Sequence, residues 1–313
     1  MKNIVRCLEM ALFFFLFASV LFAGPKEDLL RKGEDSWRKK DYTAAINVFT
    51  QVVELEPTCA DGYVARARSY GAMRDYESAI KDYSEAIRRN PNDASAYCDR
   101  GSSHLAMGRT KEALADYDEA IRIDPKSAMA RCWRGSFYIV KKDFDAAIGD
   151  ASEALRLDPR CAAALYCRSY AYATKHDLDR ALADTNELVR LLPDEARVYM
   201  QRSGIRTAKG DYTSAIDDAT RAVQLDPKCS HAYSNRAIAY RCLGRLDEAI
   251  RDFAHVVELD RNCVDSWLNL ADARCSNGEL DKRVRQNYLY KLTLASLMVY
   301  AMIAGCLARK SPH

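Results

Sequence analysis

AYCDRGSSHLAMGRTKEALADYDEAIRIDP, residues 96–125, returns along the chain with a period of 34 residues. Ala79, Ala113, Ala147, Ala181, Ala215 and Ala249 share one column, with Ala45 ahead of them. Pro57, Pro91, Pro125, Pro159, Pro193 and Pro227 share another, and Gly33, Ala67, Gly101, Gly135, Ser169, Ser203 and Ala237 form a column of small residues. Self-similarity at a fixed period of this length marks a stacked repeat architecture and outranks any local reading.

One unit reads as two antiparallel helices. Tyr97, Arg100, Gly101 and His104 follow the i, i+3, i+4, i+7 spacing of one helical face and define a helix A. The turn at Met107, Gly108 and Arg109 places glycine where a left-handed residue ends a helix. Helix B then presents Ala113, Tyr117, Ala120 and Ile121 on one face, and Pro125 stops it, because proline cannot continue a helix. The small columns matter because two helix backbones approach closely only where side chains are short. Asp75, Asp143, Asp177 and Asp211 stand at the start of helix B, where aspartate is expected as an N-cap.

The pattern of aromatic, small residue, tyrosine, glycine turn, alanine, aromatic, alanine and proline at fixed offsets resembles the tetratricopeptide repeat family. The resemblance covers seven units, 26–59, 60–93, 94–127, 128–161, 162–195, 196–229 and 230–263, with a degenerate eighth at 264–290. It implies an all-α, right-handed solenoid of stacked antiparallel helix pairs. The length of 313 residues then belongs to one elongated array rather than to separate domains.

Where a leucine is common in that family, this chain has Arg66, Arg100, Arg134, Arg168, Arg202 and Arg236, and helix B carries Asp82, Asp116, Asp150, Asp184, Asp218 and Asp252. Six pairs in register predict an ion-pair ladder between facing helices. The other reading is a basic stripe for an anionic ligand; the dedicated acidic residue in every repeat favours the ladder. Its expected use is to set register more than to add stability. Asp150→Leu, which strands a guanidinium, is expected to be worse than Arg134→Leu.

The family resemblance also implies that function lies on a concave face lined by helix A. The candidate groove residues are Arg68, Cys98, Met129, Trp133, Tyr166, Tyr170, Met200, Gln201, Asn235, Ile238 and Arg241. Aromatic and methionine side chains favour adaptable apolar contact with an extended or helical peptide; several of them could instead pack between repeats. Some family members clamp a partner's C-terminal carboxylate with Lys, Asn and Arg. Asn235 and Asn269 stand at a suitable offset here, but the lysines do not, which argues against a carboxylate clamp.

Net charge is +3 with both signs intermixed, so neither composition nor charge suggests a nucleic-acid partner. His104, His176, His231, His255 and His313 are scattered, with no metal or triad spacing, no phosphate-binding glycine loop and no nucleophile motif. No catalysis, metal or cofactor is therefore expected. The chain has eleven cysteines. Cys59, Cys161, Cys229 and Cys263 recur between repeats, while Cys98 and Cys132 recur in helix A. Equal positions of neighbouring repeats lie about 8–10 Å apart, beyond disulfide reach, so small apolar fillers and free thiols are expected.

The two ends differ from the repeats. Lys2 and Arg6 precede the apolar run ALFFFLFASVLFA at 11–23, and 1–24 reads as a signal peptide, with an uncleaved N-terminal anchor as the alternative. After a basic cluster at Lys282, Arg283 and Arg285, the run LTLASLMVYAMIAGCLA at 292–308 has no polar face. Within the hydrophobic C-terminal segment 291–313 it reads either as a transmembrane or membrane-embedded helix or as a greasy cap on the last repeat. The expectation is an exported scaffold, periplasmic, secreted or lumenal and membrane-associated through either terminus, binding a protein or peptide. The alternatives are a membrane-anchored assembly or secretion factor and a thiol-active protein. Unpaired cysteines sit awkwardly with export.

Overall fold

A computed structural model describes residues 24–260 and 264–278. Among them are fifteen α-helices and no strand. In chain order these are α1 (Pro25–Arg38), α2 (Tyr42–Leu55), α3 (Ala60–Ala72), α4 (Tyr76–Arg89), α5 (Ala94–Ala106), α6 (Thr110–Ile123), α7 (Ala128–Val140), α8 (Phe144–Leu157), α9 (Ala162–Thr174), α10 (Leu178–Leu191), α11 (Ala196–Lys209), α12 (Tyr212–Leu225), α13 (Ser230–Cys242), α14 (Leu246–Leu259) and α15 (Val264–Ser276). Odd-numbered helices are the A helices and even-numbered ones the B helices. The fold is an all-α solenoid of helix pairs. The chain divides into two compact units, 1–164 and 165–313, with the division inside α9.

Within the first unit α1 packs on α2, α3 on α4, α5 on α6 and α7 on α8, and each of α2, α4 and α6 also meets the following A helix. In the second unit α12 packs on both α11 and α13, and α14 on both α13 and α15. The small column makes the pairs close. A Cβ on Gly101 would stand 2.9 Å from the Tyr117 ring and 3.2 Å from the Ala113 carbonyl oxygen. One on Gly33 would collide with Phe49, at 2.3 Å. Tyr117 and Phe49 are almost wholly buried as a result, and a fully buried aromatic of this size contributes about 2–3 kcal/mol by area. Around them the alanine column (Ala45, Ala79, Ala113, Ala147, Ala181, Ala215, Ala249) is completely buried.

Local chemistry sets the helix ends. Asp75, Asp143, Asp177 and Asp211 accept hydrogen bonds from the backbone N–H groups of Ser78, Ala146, Arg180 and Ser214, as N-caps do. Asp41 does the same for Ala44, whereas Arg109 and Arg245 in the same column cap nothing through their side chains. The residue two before each of the helices α2, α4, α6, α8, α10, α12 and α14 has positive φ. It is glycine at Gly108, Gly210 and Gly244, but Lys40, Arg74, Lys142 and His176 elsewhere, with φ of 60–63°. Only glycine adopts that region without steric cost.

Among the described residues no helix is long and apolar enough to cross a membrane. The readings of 1–24 as a leader, of 291–313 as an anchor or cap, and of the second helix of the degenerate repeat fall outside the described residues, apart from Gly24.

Candidate interaction surface

The ladder is formed six times. Arg66, Arg100, Arg134, Arg168, Arg202 and Arg236 each donate two hydrogen bonds to one aspartate of their own B helix, at 2.6–2.9 Å. This is the bidentate fork that makes arginine–carboxylate pairs directional. Hydrogen bonding to the partner aspartate holds the Arg66, Arg134, Arg168 and Arg236 guanidinium groups above the ordinary arginine value. Tyr63, Tyr97, Tyr199 and Tyr233, each one turn earlier, lay their rings 5.4–5.8 Å from the following guanidinium.

A third tie is absent from the sequence reading. The Nη1 atoms of Arg66, Arg100, Arg134, Arg202 and Arg236 reach back to Thr50, Ser84, Asp118, Asn186 and Thr220 on the B helix of the preceding repeat, at 2.7–3.2 Å. Each of these arginines therefore joins two repeats. The signal was available: these five acceptors also recur at the repeat period. With its forks taken and its side chains mostly buried, the arginine column has little left for an anionic ligand. Asp118, 2.7 Å from Arg134, also changes the expectation for that repeat. Loss of Asp150 would leave Arg134 a second carboxylate, so the asymmetry expected between Asp150→Leu and Arg134→Leu shrinks there.

The candidate groove residues separate into three kinds. Met129 on α7 and Tyr170 on α9 are open, 54% and 52% exposed. Trp133 on α7 is half-buried against the cluster of Tyr117, Ala120, Ala130 and Phe137, and Ile238 on α13 rests in the same way on the cluster around Phe253. Tyr166 on α9 is half-buried too, whereas Arg68, Met200, Gln201, Asn235 and Arg241 already have partners, Met200 through its sulfur 3.8 Å from the Cys229 thiol. Arg68 pairs with Asp99 of the next A helix at 2.9 Å; burial raises the Asp99 carboxyl above its usual range, and Arg68 opposes that. Gln201 donates to the Ser169 hydroxyl at 2.8 Å, Asn235 donates to the Met200 carbonyl at 3.0 Å, and Arg241 stacks 5.8 Å from the Phe253 ring. These are ties between A helices or packing contacts, and sequence offsets alone could not separate them from open wall.

Cys98 needs correction. It is 4% exposed and sits in the core with Ala113, Tyr117 and Phe137, because its short side chain turns toward helix B. Four polar atoms on α9 and α11 are buried without a protein partner, the Tyr166 hydroxyl, Gln201 Oε1, Arg206 Nε and Thr207 Oγ1; buried polar groups ordinarily find a water or another protein group. Sequence reasoning also missed a recess of about 300 Å³ lined by Glu34, Trp37, Arg38, Phe49, Ala65 and Arg68. Trp37, 44% exposed, forms one wall of it.

Models described as tetratricopeptide repeat match residues 64–128, 138–196, 196–229 and 230–263. No curated protein matches the chain. Among solved structures, a tetratricopeptide repeat protein from Parabacteroides merdae is 18% identical, with a TM-score of 0.60 over 79% of this chain and 98% of its own. The Cut9–Hcn1 hetero-tetramer is 14% identical, with a TM-score of 0.63 over 82% of this chain and 58% of that chain. Yeast Tom70 is 17% identical, with a TM-score of 0.59 over 93% of this chain and 66% of its own. At these identities the likeness concerns the fold. By its repeat columns, its helix pairs and the matched models, the chain belongs to the tetratricopeptide repeat family.

Proposed function

We propose that the protein is a non-catalytic interaction scaffold whose A helices form a groove for a segment of a partner protein. The observation that carries this reading is made in each unit by itself: Met129 in the first and Tyr170 in the second are large apolar side chains held more than half exposed on A helices whose other faces are packed. Methionine adapts to irregular apolar surfaces, and tyrosine supplies contact area with a polar tip. Trp133, one turn after Met129 on the same helix and half-buried, adds apolar wall beside it. One similar structure, Cut9–Hcn1, is itself a complex between chains, which supports binding as the mode of action.

A photo-cross-linking residue placed at Met129 or at Tyr170 of the full-length protein should capture a partner in its native cells. The same residue at Lys81 or Asp217, exposed on B helices, should not. Capture from the B-helix positions alone would contradict the reading. The site of action follows from residues 1–24: with that segment as a signal peptide, the repeats work outside the cytoplasm. Intact mass of the native protein tests this, since export with cleavage removes about two dozen residues and retention leaves Met1 or Lys2 at the terminus.

A further inference from the structure

Cys132 on α7 and Cys161, the residue just before α9, bring their sulfurs to 3.5 Å. They belong to different columns of the repeat, which is why comparing equal columns misses them. Both are buried, at 3% and 7% exposure. A disulfide has an S–S distance of about 2.05 Å, so side-chain rotation would have to close about 1.5 Å. The hydrogen bond from the Cys132 thiol, helped by the backbone N–H groups of Ala164 and Ala163 at the start of α9, pulls the Cys161 thiol down to about 6 against the opposing effect of burial. A thiol so placed is substantially thiolate at neutral pH, and the thiolate is the nucleophile.

Neighbouring repeats supply the contrast. Cys98 holds the position equivalent to Cys132, but Ser127 stands where Cys161 would, and burial pushes the Cys98 thiol up to about 12. Cys229 holds the position equivalent to Cys161, and its thiol faces the Met200 sulfur at 3.8 Å instead of a second cysteine.

We propose that Cys132 and Cys161 are an oxidisable dithiol, with Cys161 reacting first with peroxide and Cys132 resolving it. The Cys161 thiolate attacks one peroxide oxygen; an S–O bond forms as the O–O bond breaks, and the departing hydroxide takes a proton to become water. The Cys132 sulfur then attacks the Cys161 sulfenic acid. The S–S bond forms, the S–O bond breaks, and hydroxide leaves as water with the Cys132 proton. Each sulfur gives up one electron and hydrogen peroxide accepts both. The new bond ties α7 to the turn that closes its repeat, so it stiffens the helix that carries Met129 and Trp133. A consequence for partner affinity rests on the groove reading; the bond itself does not.

The test exposes reduced full-length protein to hydrogen peroxide, blocks remaining thiols with N-ethylmaleimide and digests it without reductant. The expected product is a peptide pair joined through Cys132 and Cys161, released by dithiothreitol, and formed before Cys98 is oxidised. In Cys132→Ser the sulfenic acid on Cys161 should persist and be trapped by dimedone. Should that variant fail to fold, phenylarsine oxide on the wild-type protein gives the second reading: one arsenic bridging close thiols should protect Cys132 and Cys161 together. Full maleimide labelling of both after peroxide, while other cysteines oxidise, would overturn the proposal, as would independent oxidation of the two.

Discussion

Six times an arginine of an A helix grips an aspartate of its own B helix, and the residue type never changes from Arg66 to Arg236. One residue away on the same helices the chain carries Ala65, Asp99, Trp133, Cys167, Gln201 and Asn235, with no type shared by all. The arginine seam satisfies one mechanical demand six times over: it fixes the spacing of helix A and helix B, and five of the arginines also tie their repeat to the preceding one. The varied face carries no such common demand, since only some of its residues tie neighbouring A helices and others are left open. Uniform chemistry on the seam therefore reports assembly, and varied chemistry beside it is where recognition can be encoded.

The sharpest way to break this comparison is at the seam. Asp82→Leu would leave Arg66 no carboxylate, only the Thr50 hydroxyl and the Tyr63 ring among the partners described above, and should cost about 3 kcal/mol. Asp150→Leu should cost visibly less, because Arg134 keeps Asp118. Urea unfolding followed by circular dichroism measures both; equal midpoints for the two variants would mean that the second carboxylate does nothing.

A smaller effect tests the turns. Lys142 has φ of 60° in a column that elsewhere accepts Gly108 and Gly210. Lys142→Gly should stabilise the protein by about 0.5–1 kcal/mol, although glycine is usually destabilising. A lowered unfolding midpoint would show that the lysine side chain contributes more than the strain removes.

The third effect depends on pH. His104 stands where Tyr70, Tyr138, Tyr172 and Tyr240 occupy the equivalent position, and burial holds its imidazole below the ordinary histidine value despite Asp116 nearby. The folded state therefore favours neutral imidazole. Stability is present above the unfolded histidine value of about 6.5 and is lost as pH falls through the lower folded value. His104→Tyr should remove that acid-side loss, read as unfolding midpoints compared at pH 7 and pH 5.5; the same loss in both proteins would put its origin elsewhere.

Much of this fold was legible because its constraints repeat. The proline, alanine and small-residue columns fix helix ends and close approaches, and each recurs often enough to be read without coordinates. The Arg–Asp seam was legible for the same reason. Its third tie was harder to read, because Thr50, Ser84, Asp118, Asn186 and Thr220 recur at the repeat period but share a role without sharing a residue type. The A-helix face was only partly legible. Met129 and Cys98 look equally placed by offset, yet one is open and the other is core, and that depends on which way a side chain turns between two neighbouring helices. The sulfurs of Cys132 and Cys161 meet across two columns, a relation that periodicity does not display.

The smallest expected effect on stability belongs to the open face. Met129→Ala with Tyr170→Ala should leave the unfolding midpoint within about 0.5 kcal/mol of wild type, as surface changes ordinarily do. It should nevertheless weaken partner binding more than tenfold if these are anchors.

That contrast supplies the most direct test of the central claim. A peptide selected from a displayed random library on the full-length protein would be titrated by fluorescence anisotropy against wild type, the Met129→Ala/Tyr170→Ala protein and Lys142→Gly. Affinity should fall more than tenfold only in the double variant, with its fold intact, and Lys142→Gly should bind as wild type. Unchanged binding by the double variant, with the peptide cross-linking instead to B helices, would contradict the claim.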